Sequence, residues 1–137
     1  MKKWSDKFSV GNDLIDKQHE ELFNIIYDIQ DDIVHFRDAE SSLLKLLVHI
    51  RDHFIDENKV LLKYSDNREL RKDIEEHIKD HIDFQEKVFD YVKDYIYNKK
   101  DIKVGLALHL KRWLSTHTIN GVNIFKLIEE KTKDTDI

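Results

Sequence analysis

Eight histidines are spread over a chain of 137 residues that contains no cysteine. Five of them, His19, His53, His77, His81 and His117, fall where the surrounding apolar spacing marks an inward-facing position, and so does Glu57. An ionisable side chain in an apolar interior is costly unless it is paired or bound to a metal, so six of them call for a common reason. His53 and Glu57 are separated by one helical turn, and so are His77 and His81. On a helix that interval brings two side chains to one face, within reach of a single ion. Imidazole and carboxylate groups projecting inward from several helices are the means by which bundles hold iron or similar ions. A single pair means little, because roughly half a His-x-x-x-His pair is expected by chance at this composition. Two occur, His49/His53 and His77/His81. For each histidine taken singly, a plain core or surface role is the alternative; register is what unites them, since the six positions lie on seams of four different helices. The other three read differently: His35 as a solvated or capping residue near a helix end, His49 and His109 as residues stacked behind the site or in the core.

The elements that must position these groups follow from apolar periodicity. Residues 1–12 read as an irregular arm carrying Trp4, Phe8 and Val10, and Gly11-Asn12-Asp13 as a turn and helix start. Ile15, His19, Leu22, Ile26, Ile29 and Ile33 alternate spacings of three and four, which predicts an amphipathic helix over about 13–37. Leu43, Leu46, Ile50, His53, Glu57, Leu61 and Tyr64 predict a second over about 41–64. Ser65-Asp66-Asn67 supplies capping chemistry for a third, whose seam runs Leu70, Ile74, His77, His81, Phe84, Val88, Tyr91 and Tyr95. Asn98-Lys99-Lys100-Asp101 breaks it, and a fourth stripe follows through Leu106, Leu110, Trp113, Leu114 and His117. Gly121 is placed to end or kink that helix, leaving Val122 to about Lys131 as a short final helix, with the tail from Glu129 to Ile137 fraying. Short polar breaks between long helices give an all-α, up-down-up-down antiparallel four-helix bundle, with an N-terminal arm and a short C-terminal helix, as one domain over residues 1–137.

Composition narrows the function. Without cysteine there is no disulfide framework, thiolate metal site or cysteine nucleophile. No proline and only three glycines disfavour a many-turned β-fold. A formal charge of −5 offers no basic patch to a nucleic acid, and no apolar run is long enough to span a membrane. The opening Met-Lys-Lys-Trp-Ser-Asp-Lys lacks the apolar stretch of a secretory signal, and the expected location is cytoplasmic.

The ordered set Trp4, Phe8-Ser9-Val10-Gly11, Ile15-Asp16-Lys17-Gln18-His19, His53-Phe54-x-x-Glu57, His77-x-x-x-His81 and Trp113-Leu114-x-x-His117 resembles the hemerythrins, specifically the single-domain bacterial ones. The resemblance implies a four-helix bundle holding two non-heme irons that bind dioxygen reversibly, for storage, delivery or sensing. It implies that His77, His81 and His117 ligate one iron and His19 and His53 the other, with Glu57 and a solvent-derived oxo or hydroxo group bridging them. The chain departs from the family pattern where a second bridging Asp is expected five residues after the last histidine, because that position is Val122. Thr118 stands where the family commonly has an aliphatic residue, and facing inward it would add a hydroxyl that either hydrogen-bonds bound oxygen or admits water. Leu22, Ile50, Phe54, Trp113 and Leu114 are the candidate pocket walls. The expected partner is dioxygen, with no nucleic acid and no membrane, and the expected role is binding and not catalysis. Two alternatives stand beside it: a diiron oxidase or peroxidase-like enzyme, and a mononuclear or degraded metal-binding bundle.

Overall fold

The computed structural model describes residues 4–97 and 103–132. A 3₁₀ turn, Asp6–Phe8, is followed by four helices, α1 (Asp13–Val34), α2 (Glu40–Leu62), α3 (Arg68–Ile96) and α4 (Lys103–Thr132). α1 packs on α2 and α4, and α3 on α2 and α4, so the four close into a square bundle. Neighbours in sequence are joined by short links and lie side by side, which makes them antiparallel. No described helix is long and apolar enough to cross a membrane.

Local chemistry sets the helix ends. Asn12 and Asn67 cap α1 and α3, their side chains accepting from the backbone N–H of Ile15 and Glu69. α1 stops at Val34, three residues before the periodicity suggests. Phe36 adopts φ 54°, and the Phe36 and Arg37 amides donate to the carbonyls of Ile33 and Asp32. That pattern of paired bonds closes a helix through a left-handed residue, a position ordinarily given to glycine. The Arg37 guanidinium meets Asp31 and Asp32 and pins the turn. At the far end of α3 the Tyr95 hydroxyl accepts from the Ala39 amide at 3.0 Å and donates to Asp38 at 2.6 Å, tying α3 to the α1–α2 link.

Two expectations about the C-terminal end are corrected. There is no separate short helix after Gly121: α4 runs unbroken through it to Thr132, so residues 129–132, expected to fray, are helical. Gly121 is buried inside the helix, and a Cβ there would lie 3.8 Å from His19 Cε1 and 4.0 Å from Val10 Cγ1. The glycine lies where α4 meets α1 and the arm, and does not serve as a terminator. The expected break at Asn98–Asp101 and the last five residues of the tail lie outside the described residues.

The apolar core is divided along the bundle. The larger cluster takes Leu22, Ile26 and Ile29 from α1, Leu43, Leu46, Ile50 and Phe54 from α2, Phe84 and Val88 from α3, and Leu106, Leu110 and Leu114 from α4. The smaller one gathers Leu61, Leu70, Ile74, Ile124 and Ile128. Each large side chain removed from water contributes about 1.5–3 kcal/mol. Between the two clusters lies a layer of buried polar groups. The arm lies over the larger cluster, with Trp4 and Phe8 packed against it and Phe8 5.4 Å from Phe23. Its exit is fixed by Asp16, whose carboxylate accepts from the Ser9 hydroxyl and the Val10 amide.

Candidate metal centre

The polar layer consists of His19, His53, Glu57, His77, His81, His117 and Thr118, all at most 5% exposed. The helices bring together all six candidate ligands named from the sequence. Their donor atoms form two overlapping groups, His19, His53, Glu57 and His117, and Glu57, His77, His81 and His117, within each of which the atoms lie within 4.8 Å of one another. Glu57 stands in the middle. Its Oε2 lies 3.1 Å from His19 Nε2, 2.7 Å from His53 Nε2 and 3.7 Å from His117 Nε2. Its Oε1 lies 2.5 Å from His77 Nε2 and 3.3 Å from His81 Nε2. Each carboxylate oxygen therefore serves a different set of rings, and His117 is within reach of both groups. Among the described residues no second carboxylate joins either group.

Neighbouring amides fix the rings. His53 Nδ1–H donates to Gln18 Oε1 at 2.8 Å, and His81 Nδ1–H donates to Asn58 Oδ1 at 2.8 Å. Gln18 is itself held: its Nε2 donates to Asp56 at 2.7 Å, and its backbone carbonyl accepts from His49 Nε2 at 2.8 Å. Carbonyl oxygens at Nδ1 select the tautomer whose Nε2 carries a lone pair. Those lone pairs face the carboxylate oxygens of Glu57, acceptor against acceptor. A cation between them resolves that conflict.

The electrostatics agree. Burial lowers His53 to about 4, against the opposing charge of Glu57. Burial likewise pushes His81 and His117 down. Burial alone would raise the Glu57 carboxyl; the rings of His117, His19 and His53 around it outweigh that and hold Glu57 well below its usual range. Neutral His53, His81 and His117 beside an ionised Glu57 are the protonation states a metal requires. Four buried ring nitrogens of the layer, His19 Nδ1 and the Nε2 atoms of His53, His81 and His117, have no hydrogen-bond partner among the described residues, as is also true of Trp4 Nε1 and His109 Nε2 outside it.

Aromatic rings wall the layer. Phe54 stacks on His81 at 4.0 Å, and Trp113 stacks on His117 at 4.4 Å and on Phe84 at 3.5 Å. Leu22, Ile50 and Leu114 are buried in the larger apolar cluster beside Phe54. The Thr118 hydroxyl is buried and donates to the Leu114 carbonyl at 2.5 Å, so its proton is committed to the helix backbone. His49 backs the site through Gln18, as its spacing suggested. His109 is half-buried against Phe84 and Tyr91, and His35 is exposed with Nδ1 on the Asp31 carbonyl at the end of α1. Sequence reasoning did not single out Gln18 or Asn58 as ring holders. The available signal was adjacency, Gln18 preceding His19 and Asn58 following Glu57.

The family described as hemerythrin HHE cation binding domain matches residues 10–118. The chain belongs to the hemerythrin family. A myohemerythrin of Theromyzon tessulatum is 30% identical over 115 residues, covering 84% of this chain and 82% of that protein. No solved structure matches. Within this hemerythrin domain the matched segment contains all six clustered ligand candidates and stops short of Val122.

Proposed function

We propose that the protein holds two iron ions in the His/Glu layer and binds dioxygen reversibly between the two apolar clusters. The observation that carries this reading is Glu57: one buried carboxylate whose two oxygens each face a different set of imidazoles. In this reading His77, His81 and His117 hold one ion, His19 and His53 the other, and Glu57 spans both. The orphaned ring nitrogens and the acceptor-against-acceptor contacts fit such ions. Iron supplies a redox-active centre with an open position for dioxygen. The chain's contribution is to hold the rings in one tautomer, to exclude water with Phe54, Trp113 and the leucines, and to keep a single negative charge at the centre.

Val122 bears on how tightly the ions are held. It is half-buried and brings no charge to a position where the hemerythrin resemblance implies a second bridging carboxylate. Two ferrous ions bring a charge that Glu57 and one hydroxide balance only by half, and a buried excess of positive charge weakens metal binding unless further solvent or anions enter. The centre is accordingly expected to hold at least one iron loosely and to oxidise faster than a site with two carboxylates.

The test is an optical spectrum of protein loaded anaerobically with ferrous iron, recorded before oxygen, after oxygen and after oxygen is removed. A visible charge-transfer band that comes and goes with oxygen supports the carrier. A band that appears and persists favours an oxidising centre, and no band with less than one ion per chain favours a degraded site.

A further inference from the structure

Three cavities reach the polar layer, and two of them, on different seams of the bundle, are acidic. One, of about 300 Å³ between α3 and α4, is lined by Asp73, Glu76 and Asp80 and touches His77. The other, of about 390 Å³ between α1 and α2, is lined by Glu21, Asp52 and Asp56 and touches His53. Among the described residues no lysine or arginine lines either one. The larger α3–α4 cavity next to the first, which touches His77 and His117, is different, since Lys87 and Arg112 there balance Asp80 and Asp83.

The two acidic cavities end on different ligand groups. His53 belongs with His19, and His77 with His81. Each cavity also meets a buried histidine of the layer. His53 is 0% exposed, and its Nε2 lacks a hydrogen-bond partner. His77 is 5% exposed, and its Nε2 lies 2.5 Å from Glu57 Oε1 in the layer behind it. The acids are arranged at a cost. Asp73, Glu76 and Asp80 follow one another at intervals of three and four along α3, and Asp52 and Asp56 are one turn apart on α2, spacings at which like charges repel. Relief from bases is peripheral: Lys72 lies 4.0 Å from Glu76, Arg51 lies 3.1 Å from Asp52, and His49 lies 3.7 Å from Glu21. Asp73 and Asp80 form no ion pair among the described residues. Concave walls of one sign concentrate ions of the other, and a dication passing along either wall relieves its repulsion.

We propose that these cavities are separate loading routes by which a divalent cation reaches the layer, the α1–α2 route filling the His19/His53 group and the α3–α4 route the His77/His81 group. This rests on the two-metal reading above. The test follows cobalt(II) uptake by metal-free protein in a stopped-flow spectrometer at low ionic strength, with final stoichiometry measured by metal analysis. Asp73→Asn/Asp80→Asn is expected to slow about half of the absorbance change roughly five- to tenfold, leaving the rest at the wild-type rate. Glu21→Gln/Asp52→Asn is expected to slow the other half. Both differences should shrink toward unity as salt is raised. Both variants should still reach two ions per chain, and the charge-matched control Asp28→Asn/Glu129→Gln should load like wild type. If wild type takes up two ions and the variants load at its rate, or if each variant slows the whole change uniformly, the separate routes are refuted and the two-metal reading stands. If wild type takes up fewer than two ions, the two-metal reading falls and this proposal with it.

Discussion

Replacing Gln18 with alanine separates the role of a ring holder from that of a ligand. The Gln18 side chain accepts from His53 Nδ1–H at 2.8 Å and donates to Asp56 at 2.7 Å, and alanine removes both bonds. His53 is then free to change tautomer and orientation at the group it shares with His19. Loss of such a partner behind a metal ligand costs ten- to a hundredfold in affinity, or about 1.4–2.8 kcal/mol. The residue is half-buried, and two side-chain hydrogen bonds contribute about 1–3 kcal/mol to folding, so the bundle should survive. Asn58→Ala removes the 2.8 Å bond to His81 and should produce the same loss at the other group. The pair Gln18→Glu/Asp56→Asn keeps an acceptor at His53 and a donor–acceptor contact behind it, and should hold metal at least as well as wild type. The assay is a titration of metal-free protein against a chelator of known affinity, resolving two binding steps, with circular dichroism as the check on folding. If Gln18→Ala leaves both steps within twofold of wild type, or weakens them equally with the fold intact, the claim that Gln18 positions His53 is wrong.

Val122→Asp should raise the iron retained through a chelator challenge and lengthen the life of the oxygen-dependent band; unchanged values would show that the missing charge does not limit the centre. In metal-free protein, His53 at about 4 against 6.5 in the unfolded chain means that the unfolded state binds more protons between those values. Stability should therefore be lost as pH falls from about 6.5 toward 4, and Glu57, held below its usual 4.5, adds a loss of the same sign at lower pH. Urea midpoints that coincide at pH 7 and pH 5 would contradict this. Phe36→Gly should stabilise the protein by about 1 kcal/mol, because Phe36 sits at φ 54° and is 90% exposed, so strain is relieved with little packing lost. A thermal midpoint raised by about 2–4 °C is the expected reading, and a lowered one would show that the ring has a contact of its own.

The sequence carried the bundle and its six clustered side chains because both depend on the same three-four spacing. His19, His53, Glu57, His77, His81 and His117 occupy the stripe positions that also hold Leu22, Ile50, Leu70, Ile74, Phe84 and Leu114, so burial of one set entailed burial of the other. Local conformation was harder to read. Gly121 resembles a terminator in one dimension, and only the approach of His19 and Val10 shows that it lies inside α4 at a close contact. Phe36 looks like a continuing helical residue, and nothing in its side chain announces a left-handed conformation. Gln18 and Asn58 hold rings on a neighbouring helix, and a contact between elements leaves no trace in the spacing of either. Thr118 faces inward as its position allows, but its proton goes to the Leu114 carbonyl, a choice that only the backbone geometry discloses.

The layered core explains why such a costly centre is tolerated. Every ligand candidate lies within a helix, none on a loop, so no ring can leave without unpacking part of an apolar cluster. The cluster of Leu22, Ile50, Phe54 and Leu114 on one side and that of Leu61, Ile74 and Ile124 on the other hold the four helices in register whether or not the layer between them is satisfied. Metal-free protein then carries a local conflict, an ionised carboxylate facing the lone pairs of His53 and His81, inside a frame held in register by the two apolar clusters. A frame of this kind is preorganised: the cation meets rings already turned toward it by Gln18 and Asn58, and binding relieves strain without having to fold the site.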